Sequence, residues 1–111
     1  MIARVWSAQA TDAQAPAYVD HLENRVLPAL RKVAGYAGSM LLQREVADAV
    51  EIIVITFWQS VDAIRGFAGP DLEGAVVADE AAALLTQFDR RVRHYEIVVK
   101  DERLLIPGTS Q

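Results

Sequence analysis

The chain lacks cysteine altogether and carries only two histidines among its 111 residues. Without cysteine it can form no disulfide, no thiolate metal site and no cysteine nucleophile. His21 and His94 are therefore the only imidazoles that could act as a base or a ligand near neutral pH. Spacings typical of zinc sites, phosphate-binding loops and nucleophile elbows are also missing. The sequence predicts neither a metal centre nor a bound cofactor.

Positive charge and long apolar runs are also scarce. The chain has 11 lysines and arginines against 15 aspartates and glutamates, which gives a formal net charge of −4. This balance argues against nucleic acid or an anionic membrane surface as a partner. No apolar run reaches the roughly 20 residues that a membrane-spanning helix needs. Residues 1–5 have the pattern of a strand and not of a signal peptide, so we expect a cytoplasmic protein.

Hydrophobic residues are abundant and make up 52% of the sequence, many of them alanines. A chain of this length is expected to form one domain. We place that domain at residues 1–99 and expect a C-terminal tail at 100–111. Because so small and apolar a domain has little polar surface with which to cover itself, we expect it to pack against a second copy.

The segment 51–69 gives the clearest local signal. Residues 52–59 are mostly β-branched or aromatic, which favours a buried strand. Ser60 then stands where an N-cap hydroxyl would accept a hydrogen bond from the first turn of a helix. Gly69 is suited to end that helix. Residues 47–49 predict a short turn, so this strand should form a hairpin with the strand before it.

The whole chain predicts strands and helices in the order β-α-β-β-α-β, with the second helix broken in two. The predicted elements are a strand at 1–9, a helix at 12–33 capped by Asp12, strands at 36–45 and 52–59, helices at 60–68 and 71–83, and a strand at 91–100. This order is typical of the ferredoxin-like α+β fold, a four-stranded antiparallel sheet with helices on one face. Since the strands carry apolar residues on both sides, we expect a homodimer through the open face of the sheet.

Four segments resemble the antibiotic biosynthesis monooxygenase domain. They are MIARVW at 1–6, VLPALRKVAGYAGSMLLQRE at 26–45, TFWQSVDAIRGFAG at 56–69 and HYEIV at 94–98, and the similarity covers roughly residues 1–99. The resemblance implies a dimeric α+β barrel with a pocket between sheet and helices. Some members of that family oxidise polycyclic aromatic substrates with O₂ and no metal or flavin, and others degrade haem.

The resemblance argues against haem degradation for this chain. The haem-degrading branch requires an asparagine on the first strand, a tryptophan in the helix after Trp58, and a histidine ligand ten residues later. The matching positions here hold Ser7, Phe67 and Val77. A valine side chain cannot ligate iron, and the other two positions also differ.

Large side chains near the predicted boundary of sheet and helices are candidates for binding a flat organic molecule. These substrate-binding candidates are Trp6, Tyr18, Trp58 and Phe67. The donors that could stabilise a substrate anion, and so act as catalytic residues, are Tyr18, Arg65 and Tyr95. For any one of the aromatic side chains taken singly, packing in the core or at an interface is the favoured interpretation.

Hydrophobicity predicts which side of the last strand, 91–100, faces the helices. Its more apolar set, which begins with Tyr95, is predicted to meet the helices. His94 and Glu96 would then face the partner in a dimer. We expect Arg4 on the neighbouring strand to form an ion pair with Glu96 there.

Two functions remain open at this point. The first is a cofactor-independent, monooxygenase-like enzyme acting on a small aromatic or enolisable substrate, with an aldol-type cyclase as a related possibility. The second is a non-catalytic dimeric module that binds a small hydrophobic ligand. The resemblance favours the enzyme, whereas the scarcity of polar catalytic groups favours the module.

Overall fold

The structure, a computed structural model, describes residues 1–101, so the predicted tail at 100–111 lies almost wholly outside the described residues. Within them the chain forms five strands, four α-helical segments and one π turn. In chain order these are β1 (Ile2–Thr11), α1 (Ala15–His21), a π turn (Leu22–Val26), α2 (Leu27–Leu30), β2 (Tyr36–Val46), β3 (Ala49–Trp58), α3 (Val61–Ala68), α4 (Asp79–Ala82), β4 (Gln87–Phe88) and β5 (Arg93–Glu96). The predicted α+β class with an antiparallel sheet is confirmed.

The strands form one antiparallel sheet in the order β2-β3-β1-β4, and β5 also pairs with β1. β1 and β3 pair along their whole length, from Ile2 opposite Trp58 to Thr11 opposite Ala49. The last strand, predicted as one run over 91–100, is instead two short pieces that share one edge of β1. It is interrupted because the chain between them turns to another partner: the Val92 amide donates to the Glu73 carbonyl.

The hairpin and the short helix lie where their local signals predicted. Ala47 and Asp48 form the turn between β2 and β3, with Val46 opposite Ala49. The Ser60 hydroxyl accepts from the Ala63 amide at 3.1 Å and so caps α3. Both features depend on contacts within a few residues, which local sequence is able to specify.

The long first helix departs from its prediction at both ends. It begins at Ala15, not beside Asp12, and it is the Thr11 hydroxyl that accepts from the Gln14 amide, at 3.1 Å. Pro28 interrupts the helix: a π turn, Leu22–Val26, precedes it, and the last helical turn, α2, contains it and ends at Leu30. A proline ring clashes with the carbonyl four residues earlier in a regular helix, and a wider turn relieves that clash.

The helix predicted at 71–83 is wrong over most of its length, since only Asp79–Ala82 is helical. The rest belongs to an irregular segment, residues 69–78, which we call the connecting loop. One backbone bond lies within it, from the Gly74 amide to the Asp71 carbonyl at 3.1 Å, and other backbone groups of this loop bond to distant parts of the chain. The Ala75 amide donates to Arg90, and the carbonyls of Leu72 and Gly74 accept from the Arg4 side chain.

The two faces of the sheet differ in what covers them. Even-numbered residues of β1 and β3 face the helices and form the core with residues such as Leu22 and Ile64. The opposite, open face carries Ala3, Val5, Met40, Leu42, Ile53, Ile55, Phe57 and Tyr95, as the strand register shows. Within residues 1–101, no helix is both long enough and apolar enough to cross a membrane.

The faces predicted for the last strand are therefore wrong. Tyr95 lies on the open face and is 52% exposed. His94 lies opposite Arg4 on the side of the helices, where Arg4 is only 4% exposed. The expected pair between Arg4 and Glu96 does not form, because Ile2 and not Arg4 is the residue opposite Glu96.

Candidate functional site

A cavity of about 70 Å³ lies between the sheet and the helices. Its walls are mostly apolar, and Arg4 and Thr56 are the polar side chains among them. The lining residues are Arg4, Trp6, Leu22, Val26, Leu30, Val54, Thr56, Phe67, Val76 and Val92. The arrangement is that of a small-molecule site, which is typically apolar with a few placed polar groups.

Regular periodicity explains why these residues converge. Arg4 and Trp6 are two apart on β1, so both point to the same side of the sheet. Leu22, Val26 and Leu30 are four apart along the helical stretch and therefore form one stripe above the sheet. Phe67 from α3 closes one end, and the connecting loop contributes Val76.

Arg4 is the chemically most informative residue of the cavity. Its Nη1 donates to the Leu72 carbonyl at 2.5 Å, and its Nη2 donates to the Gly74 carbonyl at 2.8 Å. Nη1 also lies 2.9 Å from His94 Nε2. The guanidinium carbon stands 5.6 Å from the centre of the Phe67 ring, which places a cation over an aromatic face.

The charge of Arg4 is buried without an opposite charge. Within residues 1–101, the ion pairs involve other residues and no carboxylate is bonded to Arg4. Burial lowers the pKa of Arg4 from its ordinary value. Arginine nevertheless keeps its proton at neutral pH, so the cavity wall carries a positive charge that is compensated only by neutral acceptors.

His94 is the neutral partner of that cation. Since arginine has donors only, the contact requires His94 Nε2 to be the acceptor, which leaves the ring proton on Nδ1. Burial and the neighbouring Arg4 charge lower the pKa of His94, and the Glu73 carboxylate opposes them. His94 is therefore an acceptor for Arg4 and not a cation of its own.

Two aromatic groups stand behind the walls of the cavity. Phe67 is stacked on Trp58, with ring centres 5.3 Å apart, and Trp58 donates from Nε1 to the Thr56 hydroxyl at 2.8 Å. On the other side, Trp6 packs against Tyr18 at 5.9 Å and donates from Nε1 to a backbone carbonyl. These contacts hold the two lining rings, Trp6 and Phe67, in fixed positions.

The structure brings together only part of the predicted site. Trp6 and Phe67 line the cavity, whereas Trp58 and Tyr18 support them from behind. Burial raises the pKa of Tyr18, so its hydroxyl stays protonated. Arg65 is exposed on α3 and pairs with Asp62, and Tyr95 is on the open face; neither reaches the cavity.

Arg4 is the functional candidate that the sequence interpretation missed, because it was assigned to a dimer contact. A signal was present in β1 itself. Arg4 and Trp6 continue the same alternating set as Ala8 and Ala10, and small apolar residues at alternate positions indicate a face packed beneath helices.

The cavity as it stands is smaller than an aromatic ring requires. Its 70 Å³ compares with the roughly 150 Å³ of an engineered protein cavity that accepts benzene. The wall best able to move is the connecting loop, where Val76 is 54% exposed. A ring-sized ligand therefore needs this loop to withdraw from the sheet.

No family model matches the chain, and no curated protein matches it in sequence. Solved structures do match. The haem degrader MhuD of Mycobacterium tuberculosis, with two haems bound, is 23% identical with a TM-score of 0.61, over 91% of this chain and 99% of that one. A monooxygenase from the gene ActVA-Orf6 of Streptomyces coelicolor, in complex with nanaomycin D, is 14% identical with a TM-score of 0.56, over 90% of this chain and 92% of that one. SnoaB, a cofactor-independent oxygenase from Streptomyces nogalater, is 17% identical with a TM-score of 0.55, over 89% of this chain and 95% of that one. The chain has the fold of these proteins.

Proposed function

We propose that the chain belongs to the antibiotic biosynthesis monooxygenase family and oxidises a small aromatic or enolisable substrate with O₂, without a metal or flavin. The observation that carries this proposal is the buried Arg4 on the wall of an otherwise apolar cavity between sheet and helices. The sequence resemblance and the fold shared with oxygenases support it.

Arg4 supplies what such a reaction needs from the protein. A phenol or an enolisable ketone reacts with O₂ through its anion, and a fixed positive charge in a dry site favours that anion. The substrate anion transfers one electron to O₂, and the substrate radical and superoxide then combine. The apolar walls exclude water, which strengthens the attraction between Arg4 and the anion.

The aromatic residues supply orientation. In this proposal Trp6 and Phe67 hold the substrate ring between them, while Tyr18 and Trp58 keep those two side chains in place. Stacked and tilted ring contacts of this kind favour a flat ligand over a branched one. The substrate is small, because even a displaced connecting loop leaves the helical stripe and the sheet in position.

We also propose that two copies pair through the open face of the sheet. Strands of ten residues at about 3.3 Å per residue, with four strand positions about 4.8 Å apart, give a face of roughly 600 Å². A stable interface buries about 800 Å² per partner, so this face supplies most of the area required. Central residues such as Ile53 and Ile55 give it the apolar character of a permanent interface.

A second candidate function is a non-catalytic module that binds a small ligand. One observation favours it: Arg4 and Thr56 are the polar side chains of the lining apart from the Trp6 indole, and neither is a general base at neutral pH. Binding and orientation need no more than this, whereas catalysis usually combines several groups.

Oxygen uptake by chelator-treated protein in the presence of 1,4-dihydroxynaphthalene tests the proposal. We expect uptake well above the rate in buffer, and a loss of about tenfold or more in Arg4→Gln, since one charged hydrogen bond is worth ~1.5–3 kcal/mol. Arg31→Gln, which changes an exposed arginine at the end of α2, is the matched control and should retain full activity. Uptake at the buffer rate by a protein that nevertheless binds the quinol would overturn the enzyme and favour the module.

A further inference from the structure

The acceptors around Arg4 indicate the shape of the group that it is built to bind. Its two terminal nitrogens each donate to one oxygen, Nη1 to Leu72 and Nη2 to Gly74, at 2.5 Å and 2.8 Å. Donation from both terminal nitrogens is also the way in which a guanidinium binds the two oxygens of a carboxylate. We propose that the cavity takes a flat aromatic acid as its anion, whose carboxylate replaces these two carbonyls on Arg4.

The exchange is favourable because it adds the charge that Arg4 lacks. Two neutral carbonyls leave a buried cation only partly compensated, and hydrogen bonds to an ionised acceptor are about twice as strong as those to a neutral one. His94 Nε2 still accepts a hydrogen bond from Nη1 after the exchange, and this bond helps to fix the orientation of the guanidinium. This inference rests on the same site as the proposed function and adds the chemical class of its ligand.

The same exchange makes room for the ring. The carbonyls that leave Arg4 belong to the connecting loop, which also carries Val76 into the cavity wall. Apart from Arg4, this loop is held by the Ala75 amide, which donates to Arg90 at 2.9 Å, and by the Val92 amide, which donates to Glu73 at 2.8 Å. Arg91 also donates to both oxygens of the Asp71 carboxylate and pairs with Glu73, but these side chains are exposed, and exposed ion pairs contribute little to stability. Gly69, at φ +83°, provides a backbone joint where the loop leaves α3. One event therefore frees Arg4 and enlarges the cavity beside it.

The position of Phe67 fits an acid attached directly to a ring. Arg4 lies over the Phe67 face at 5.6 Å, so a carboxylate on Arg4 brings its own ring alongside Phe67. Trp6 is the other aromatic residue of the lining. An aliphatic acid would satisfy Arg4 equally but would lose the contact with both aromatic faces.

Calorimetric titration with 2-naphthoate and its uncharged analogue 2-naphthamide tests the inference. We expect wild type to bind the acid at least about tenfold more tightly than the amide. Arg4→Gln should lose that preference, Arg4→Lys should keep part of it because lysine lacks the paired donors, and Arg31→Gln should match wild type. Equal affinities of wild type for acid and amide would overturn the inference, whether or not the Arg4 variants fold.

Hydrogen exchange provides a second readout. A ligand usually protects the amides near it, but here we expect 2-naphthoate to speed exchange at the Ala75 and Val92 amides, since the loop is released. Bound acid with these amides protected would show that Arg4 keeps its carbonyls and would overturn the exchange. The outcome is separable from that for oxygen uptake: acid binding at Arg4 without turnover removes only the proposed enzyme, and turnover of quinols without a preference for acids removes only this inference.

Discussion

Arg4 Nη1 lies 2.9 Å from Nε2 of His94, so a buried cation is held by an imidazole that must stay uncharged. The two residues are directly opposite each other on β1 and β5. A proton on Nε2 would remove the acceptor and place two positive charges in contact. The stability of the β1–β5 sheet edge therefore depends on whether His94 is protonated.

This contact predicts a pH dependence of stability. The pKa of His94 in the folded protein is below its ordinary value of 6.5, so between those two values the unfolded chain binds more protons. The contribution of His94 is therefore complete above pH 6.5 and is lost as the pH falls through the window below it. Urea unfolding from pH 7.5 to 5.5 should show this decline in wild type.

His94→Gln is the variant that isolates the effect, since glutamine can still accept from Arg4 but does not titrate. The difference in unfolding free energy between wild type and variant should shrink or change sign as the pH falls. The Asp71 carboxylate, whose pKa the bond from Arg91 lowers, loses its contribution only below its ordinary 3.8 and does not interfere. Parallel curves for the two proteins would contradict the prediction.

Two glycines with positive φ test how α3 packs on the turn before β2. Gly35, at φ +86°, has no room for a methyl group, because an added Cβ would lie 2.4 Å from the Ala63 Cβ. Gly38, at φ +138°, faces open space. Gly38→Ala should cost about 1–3 kcal/mol from backbone strain alone, and Gly35→Ala about 1–3 kcal/mol more from the clash.

Denaturant midpoints measure both substitutions, and a double mutant separates the two causes. Ala63→Gly should return the steric part of the loss in the Gly35→Ala background and leave the backbone part. If Gly35→Ala and Gly38→Ala cost the same, the close approach of α3 to this turn is not a determinant of stability.

The parts of the fold that sequence predicted are those fixed by neighbours along the chain. Ser60 and the turn at Ala47 depend on residues within three or four positions, and both were located correctly. The faces of β5 depend on which residue of β1 lies opposite. Hydrophobicity alone assigns Tyr95 to the buried face of the isolated strand and His94 to the other. Pairing with β1 reverses this assignment, because it places His94 opposite Arg4 on the side of the helices.

The candidate site was predicted only in its aromatic half for a related reason. Trp6 and Phe67 are large aromatic residues in predicted regular elements, so the residue types alone made them candidates. Arg4 becomes informative only through acceptors about 70 residues away, Leu72 and Gly74. Those carbonyls lie in a loop that was predicted as the first part of the helix at 71–83. No local pattern reveals a bond from a backbone carbonyl to a distant side chain.

Two substitutions of Tyr18 separate what its ring and its hydroxyl each contribute to stability. Its ring packs on Trp6, yet within residues 1–101 its hydroxyl makes no side-chain hydrogen bond. Tyr18→Phe should leave the unfolding free energy within about 0.5 kcal/mol, whereas Tyr18→Ala should cost about 3–5 kcal/mol, as for other large aromatic truncations. Thermal and urea unfolding measure both. A folded Tyr18→Phe that loses oxygen uptake would instead assign the hydroxyl a direct role on the substrate.

The proposed dimer makes the centre of the open face the most sensitive surface of the molecule. Ile53 lies there, opposite Ser7 on one side and Leu42 on the other. Ile53→Glu should weaken association by roughly 3–6 kcal/mol. Each copy loses the burial of one aliphatic side chain, about 1.5–3 kcal/mol, and the twofold symmetry doubles that loss. Light scattering at micromolar concentration should then report a monomer. Val61→Glu is the control, since Val61 is an exposed hydrophobic residue on α3, away from the open face, and glutamate suits the first helical turn. A wild-type protein that already runs as a monomer, or an Ile53→Glu variant that stays dimeric, would move the interface away from the sheet.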